Sequence, residues 1–271
     1  MKKTSTLLAL STATLLSGCV IAIDTARADV HLQKELTINS QQLTQLNVEA
    51  GAGSLFIEGK SDIESIQVQA EIYTDSKDNY QLTLNKNNGK ATLVAKINSS
   101  AGFWQGDSPR VNIRVFVPQN LALNITDGSG DMNITNINND VIIKDGSGGI
   151  DVKHINGRLT INDGSGELNV KHINGETTIT DGSGDLALKH ITGDVTIDDD
   201  SGSIYAKSIQ GNANITDGSG DLTVEKVSNT VTIDDGSGDI NVKKVGNLNI
   251  IESGSGGLHV NKVSGNFSID S

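Results

Sequence analysis

The stretch Asp163-Gly164-Ser165-Gly166-Glu167-Leu168-Asn169-Val170-Lys171-His172-Ile173-Asn174-Gly175-Glu176-Thr177-Thr178-Ile179-Thr180 is one unit of a repeat. Its Asp-Gly-Ser-Gly opening also begins at Asp127, Asp145, Asp181, Asp217 and Asp235. It reads Asp-Asp-Ser-Gly from Asp199 and Ser-Gly-Ser-Gly from Ser253. The interval is always a multiple of 18 residues, across eight occurrences. Self-similarity at a fixed period marks an architecture built of stacked units, so the period sets the fold before any residue chemistry does.

With the opening Asp as position 1, positions 6 and 8 are almost all apolar and position 11 is always Ile or Val. Position 15 is mostly apolar, with Thr177, Ala213 and Asn249 as exceptions, and position 17 is always Ile, from Ile143 to Ile269. Positions 7, 14, 16 and 18 are mostly polar. Alternation of this kind predicts two short strands per unit, at positions 5–9 and 14–18, each with one buried side. Gly-Ser-Gly at positions 2–4 and Gly or Asn at position 13 are the expected corners, because these residues accept positive φ. A single unit cannot bury its own apolar side, whereas stacked units bury a continuous core. The expected fold is therefore all-β: a right-handed parallel β-solenoid of eight two-strand coils, about 38 Å long at ~4.8 Å per coil.

The solenoid is expected over residues 120–271. Before it, residues 30–119 carry irregular period-two runs, among them Leu55-Phe56-Ile57, Ile66 to Ile72 and Val111 to Val117, with a hairpin turn at Asn87-Asn88-Gly89. These predict a β-rich amino-terminal cap. Residues 1–18 have a basic start, Lys2-Lys3, then an uncharged run, Thr4 to Leu16, of secretory-signal length. The segment ends Leu16-Ser17-Gly18-Cys19, which resembles the lipobox of bacterial lipoproteins. That resemblance implies acylation of Cys19, with residues 19–29 as a short tether, and Val20 after it suits the outer membrane. The alternative is cleavage after Ala26-Arg27-Ala28, giving a soluble secreted or periplasmic protein. Cys19 is the sole cysteine, so no intrachain disulfide forms.

A net charge of -12 and 3% aromatic residues argue against nucleic-acid binding, which needs basic tracks and stacking platforms. The strand-rich first region, the run Val111 to Pro118 and the recurring Gly-Ser-Gly-Asp-Ile/Leu coils resemble a bacterial β-strand-repeat family. That family is named for a proposed adhesin role, is related to autotransporter-adhesin heads, and has no assigned activity. The resemblance implies the β-helix fold and supplies no catalytic residues.

Two residue columns bear chemistry. Position 1 stacks Asp127, Asp145, Asp163, Asp181, Asp199, Asp217 and Asp235, with further acids at position 5; these are expected to form an outward acidic edge. The favoured reading is that each Asp caps its own corner by accepting backbone N–H bonds. The alternative is calcium binding along the edge. The calcium-binding β-roll shares the 18-residue period, but its Gly-Gly pair and ligand Asp have no counterpart in the second half of this unit. The second column is His154, His172 and His190 at position 10. Read functionally it is a metal or pH-sensing ladder; the favoured reading is a solvated column at a corner. It continues as Lys226, Lys244 and Lys262, beside Lys153, Lys171, Lys189, Lys207 and Lys243 at position 9, so a basic edge is expected opposite the acidic one.

Phe103-Trp104 reads as a closure over the end of a core, or alternatively as a sugar-stacking pair. Phe267 is expected to plug the last coil, leaving an end suited to self-association. The sequence thus predicts a non-enzymatic cell-envelope lipoprotein without cofactor, adhesin-like or scaffolding, with the membrane and a protein or glycan as partners. The alternatives are a calcium-binding module and, less well matched, a β-helix carbohydrate-active enzyme, whose clustered acids and bases on long loops these uniform coils lack.

Overall fold

The structure is a computed structural model that describes residues 28–98 and 108–270. Cys19, the signal segment and Phe103-Trp104 lie outside the described residues. The strands are β1 (Val30–Asn39), β2 (Gln45–Ala50), β3 (Leu55–Lys60), β4 (Ser65–Thr74), β5 (Tyr80–Asn87), β6 (Lys90–Ile97), β7 (Arg110–Pro118), β8 (Ala122–Thr126), β9 (Met132–Ile137), β10 (Val141–Asp145) and β11 (Ile150–Ile155). They continue as β12 (Leu159–Asp163), β13 (Leu168–Ile173), β14 (Thr177–Asp181), β15 (Leu186–Ile191), β16 (Val195–Asp199), β17 (Ile204–Ile209), β18 (Ala213–Asp217), β19 (Leu222–Asp235), β20 (Ile240–Glu252), β21 (Leu258–Val263) and β22 (Phe267–Ile269). Among the described residues there is no helix.

From β8 onward the chain winds as the repeat predicts. Odd strands β9 to β17 stack in parallel as a front sheet, and even strands β8 to β18 as a back sheet, each in strict 18-residue register. The front strands cover positions 6–11 and the back strands run from position 15 through position 1 of the next unit, one residue later than the sequence suggested. Backbone conformation causes the shift. At position 10, Asn136, His154, His172, His190, Ser208, Lys226, Lys244 and Lys262 all have φ between 57° and 64°. This left-handed residue interrupts the alternation, so positions 6, 8 and 11 point inward together. Leu168, Val170 and Ile173 are each fully buried. Position 13, by contrast, has no positive φ; the expectation of a left-handed corner there was misplaced by three residues. Gly175 serves close approach instead, since a Cβ on it would fall on the Gly157 carbonyl oxygen.

The solenoid reaches into the region expected as a separate cap. β2 lies in parallel between β6 and β8, and β3 in parallel between β7 and β9. Gly51-Ala52-Gly53 is a diverged copy of the Gly-Ser-Gly corner: Ala52 bridges Ser129, and Gly53 has φ 130° beneath Gly130. The chain leaves this layer, returns as β6 and β7 on its outer side, then passes over it to β8. Gln119 makes that crossing: its N–H donates to Lys60 O at 3.1 Å and its carbonyl accepts from Asn138 N at 2.6 Å. Antiparallel strands close this end, with β4 and then β1 beyond β7, and β5 beyond β6. The β5–β6 hairpin turns at Asn88 and Gly89, with φ 48° and 75°, the two positive values a type I′ turn requires.

At the other end the register slips. Leu248 pairs with Val231 and Ile250 with Ile233, so Leu248 and Ile250 are the buried residues, not Asn249 and Ile251. One residue is missing from the Val245-Gly246-Asn247 corner, and a bulge before Glu252 restores the count. Ile251 is turned out and 45% exposed. Phe267 does not plug the last coil; it is 48% exposed above Leu248.

One inward position breaks the apolar pattern. Thr177, at position 15, is fully buried, and its Oγ1 has no hydrogen-bond partner among the described residues. Neighbouring coils place Leu159 and Val195 there. A buried hydroxyl without a partner costs about 1 kcal/mol or more. Thr177→Val keeps the shape and is expected to raise the melting midpoint by ~2–4 °C; a lowered midpoint would show that the hydroxyl is bonded.

Candidate functional site

The position-1 aspartates do not form an outward edge. Because the back strands extend to position 1, and positions 15, 17 and 1 alternate inward, the seven carboxylates project into the solenoid. All seven, Asp127 to Asp235, are buried, and Asp181, Asp199 and Asp235 are at most 1% exposed. They form a single inner column along the Gly-Ser-Gly corner, in register from coil to coil.

Each carboxylate is partly served by its own corner. Oδ1 of Asp127 and Asp145 accepts from the N–H of Gly128 and Gly146, both at 2.9 Å. Oδ1 of Asp181, Asp199 and Asp217 accepts from the N–H of Ser183, Ser201 and Ser219, at 3.3, 3.3 and 3.1 Å. The second oxygen, Oδ2, of these five is buried and accepts no hydrogen bond from the described residues. Among the described residues, neither oxygen of Asp163 or Asp235 reaches a hydrogen-bonding partner, although nearby corner amides oppose the rise in both pKa values.

Burial without full hydrogen bonding disfavours the charged form. Desolvation, then the Asp145 carboxylate, pushes the Asp127 pKa up to about 7. Desolvation together with a neighbouring rung lifts Asp145, Asp181, Asp199 and Asp217 to about 6. Asp163 and Asp235 are raised by burial as well. The column is a set of coupled acids that hold protons well above the usual carboxylate range. Calcium takes six to eight oxygens around one point; among the described residues no three His, Cys, Asp or Glu side chains are grouped to hold a metal ion.

The acids that do face solvent bind backbone. At position 5, Oδ1 of Asp131, Asp185, Asp221 and Asp239 accepts from the N–H of Gly149, Ser203, Asp239 and Gly257, each one coil further on. These are inter-coil clasps, and the regular spacing of acids at position 5 was their only sequence signal.

The three histidines are placed together as expected, on the outside of the opposite corner. Their rings stack face to face at 4.9 and 4.8 Å, with interplanar angles of 2° and 4°. Parallel rings direct their nitrogens alongside one another, whereas zinc needs donors within about 2.1 Å of one point. Desolvation, then His190, His154 and Lys171, lowers the pKa of His172. Beside the rings runs an amide ladder: Asn156 Nδ2 donates to Asn138 Oδ1 and Asn174 Nδ2 to Asn156 Oδ1, both at 2.6 Å. Histidine and asparagine columns together line a groove of about 530 Å³ along the axis.

The family model for Toastrack DUF4097 matches residues 21–271, nearly the whole chain. The chain belongs to the Toastrack DUF4097 family. The adhesin-like resemblance drawn from the Gly-Ser-Gly-Asp-Ile/Leu coils is to proteins of this kind. Among curated proteins, none matches the chain. Similar solved structures include a proposed lipid binding protein from Parabacteroides distasonis, 15% identical, covering 87% of this chain and 96% of its own, with a TM-score of 0.46. A proposed adhesin from Bacteroides fragilis is 13% identical, covers 90% and 99%, and has a TM-score of 0.42. A proposed cell adhesion protein from Clostridium sporogenes is 11% identical, covers 86% and 99%, and has a TM-score of 0.39. What separates this Toastrack chain from a plain apolar solenoid is the acid column within its core.

Proposed function

We propose that the protein is a non-enzymatic cell-envelope protein, anchored to the outer membrane through Cys19, whose solenoid serves as an adhesin-like or scaffolding module. The observation that carries this reading is where the chemistry sits. The carboxylates with shifted pKa values, which in an enzyme would face substrate, are enclosed in the core. What faces outward is a set of uniform ladders repeated from coil to coil, which suits an extended contact rather than a reaction at one point. The lipobox-like segment, Leu16 to Cys19, supports the anchor.

Cys19→Ala tests the anchor in the producing cell. The unaltered chain is expected to incorporate radiolabelled palmitate and to sediment with outer membranes; the variant is expected to do neither. Equal labelling and fractionation of the two would sink the anchored reading and favour release after Ala28. Cross-linking in intact cells, with the variant as location control, then tests the scaffold role through partners captured only by the anchored form.

A further inference from the structure

We propose that the basic column and the adjoining groove of the front sheet bind a linear anionic polysaccharide running parallel to the solenoid axis. The inference rests on the reading of the protein as an envelope interaction module and names its ligand class.

The first observation is charge placed against its own repulsion. Lys153, Lys171, Lys189 and Lys207 stand in direct register on consecutive strands. Like charges directly opposite destabilise a sheet. The outer two are neutralised: Lys153 by Asp151 at 2.8 Å and Lys207 by Glu225 at 2.9 Å. Among the described residues, Lys171 makes no ion pair, and Lys189 lies over the Tyr205 ring at 5.0 Å. Uncompensated positive charge is thus held at the centre of the column, in a chain of net charge -12.

The second observation is the groove one residue further along each strand. The left-handed residue at position 10 turns the chain there, setting His154, His172 and His190 beside Asn156, Asn174 and Thr192. Its walls are hydrogen-bonding groups and imidazole rings, repeated at the coil step of 4.8–4.9 Å. A pyranose sugar in an extended chain advances by about that same step. Sugar hydroxyls would therefore meet the same amide and imidazole environment at each coil, while sugar carboxylates meet the lysine column. A flat anionic membrane matches the charge but has no use for the groove. An acidic protein segment lacks a repeat in step with the coils.

The test is calorimetric titration of the full chain with oligogalacturonates longer than four sugars, with neutral cellohexaose as control. Expected are binding to the anionic oligomer alone, weakening as salt rises, and a loss of about tenfold or more in Lys171→Gln/Lys189→Gln. His172→Gln/Asn174→Ala is expected to weaken binding without changing the salt dependence. Lys171 and Lys189 are half-buried and His172 and Asn174 exposed, and an unchanged melting midpoint confirms folding of either variant. Equal affinity in the lysine variant, or binding to phosphatidylglycerol vesicles but not to the oligomer, overturns the proposal. If cross-linking still captures partners of the anchored form, the scaffold reading stands while the polysaccharide falls.

Discussion

Gly184→Ala is expected to lower the melting midpoint by ~10 °C or more, while Gly149→Ala leaves it within a degree or two. Gly184 is position 4 of its unit, where φ is 138°, and six other units have φ between 126° and 149° at the same place. That backbone region is nearly closed to residues with a Cβ, at a cost of about 1–3 kcal/mol. Space makes it worse. A Cβ on Gly184 would fall on the carbonyl oxygen of Gly166 in the preceding coil, and a backbone atom inside a stack cannot step aside. The corner is tied on its other side too, since Gly184 N donates to Ser201 O at 3.0 Å. Strain and clash together put the loss at roughly 3 kcal/mol or more, among the larger effects a single substitution produces. Gly149 is the control: the nearest atom to its Cβ is Asp131 Oδ1 at 3.3 Å, and other coils carry Asp185 or Glu167 at that position. Position 2 needs glycine less, for Asp200 already occupies it.

The second large effect is on pH. The ladder aspartates have folded pKa values raised above the unfolded 3.8, to about 7 at Asp127 and about 6 at Asp145, Asp181, Asp199 and Asp217. A raised folded pKa means that the native state binds more protons than the unfolded chain. The stabilisation is then complete below about pH 4 and is lost as pH climbs through 6 to 7. The solenoid should accordingly melt higher at pH 5 than at pH 8. Coupling between rungs reduces the effect, and a total of ~2–3 kcal/mol, about a third of what the five shifts would give if independent, corresponds to about 5–10 °C. The neighbouring titration runs the other way: His172, with its pKa lowered, favours the native state as pH rises, but it is an exposed group and contributes little. Asp181→Asn removes one charge at constant shape from the middle of the column. It is expected to raise the midpoint at pH 8, to leave it nearly unchanged at pH 4.5, and to shrink the difference between the two. A midpoint that rises steadily from pH 5 to pH 8 in the parent chain would show that the carboxylates are ionised at no cost.

The period and the apolar columns made the coil legible, because an unbroken 18-residue spacing leaves little freedom in stacking. What stayed hidden followed from backbone conformation. Nothing marks position 10 as left-handed, since Asn136, His154, Ser208 and Lys226 share no side-chain chemistry. The one available clue was the break from alternation, with apolar residues at 6, 8 and 11 where strict alternation would give 6, 8 and 10. The inward turn of Asp181 was obscured by its charge, which argues for solvent unless the strand is known to extend that far. The early coil was masked by insertion: Gly51-Ala52-Gly53-Ser54-Leu55 matches the corner, but β4 to β7 separate it from its neighbour. Leu248 and Ile250 were passed over because a fixed period admits no gap at Val245-Gly246-Asn247.

The acid column lies inside the solenoid rather than along an outward edge. The most direct measurement is a carbon-13 NMR titration of the aspartate carboxyl groups, with Asp181→Asn and Asp199→Asn used to assign the central rungs. The central carboxyls are expected to titrate near pH 6, in coupled steps. Central rungs titrating near pH 4, as exposed aspartates do, would contradict an inner column.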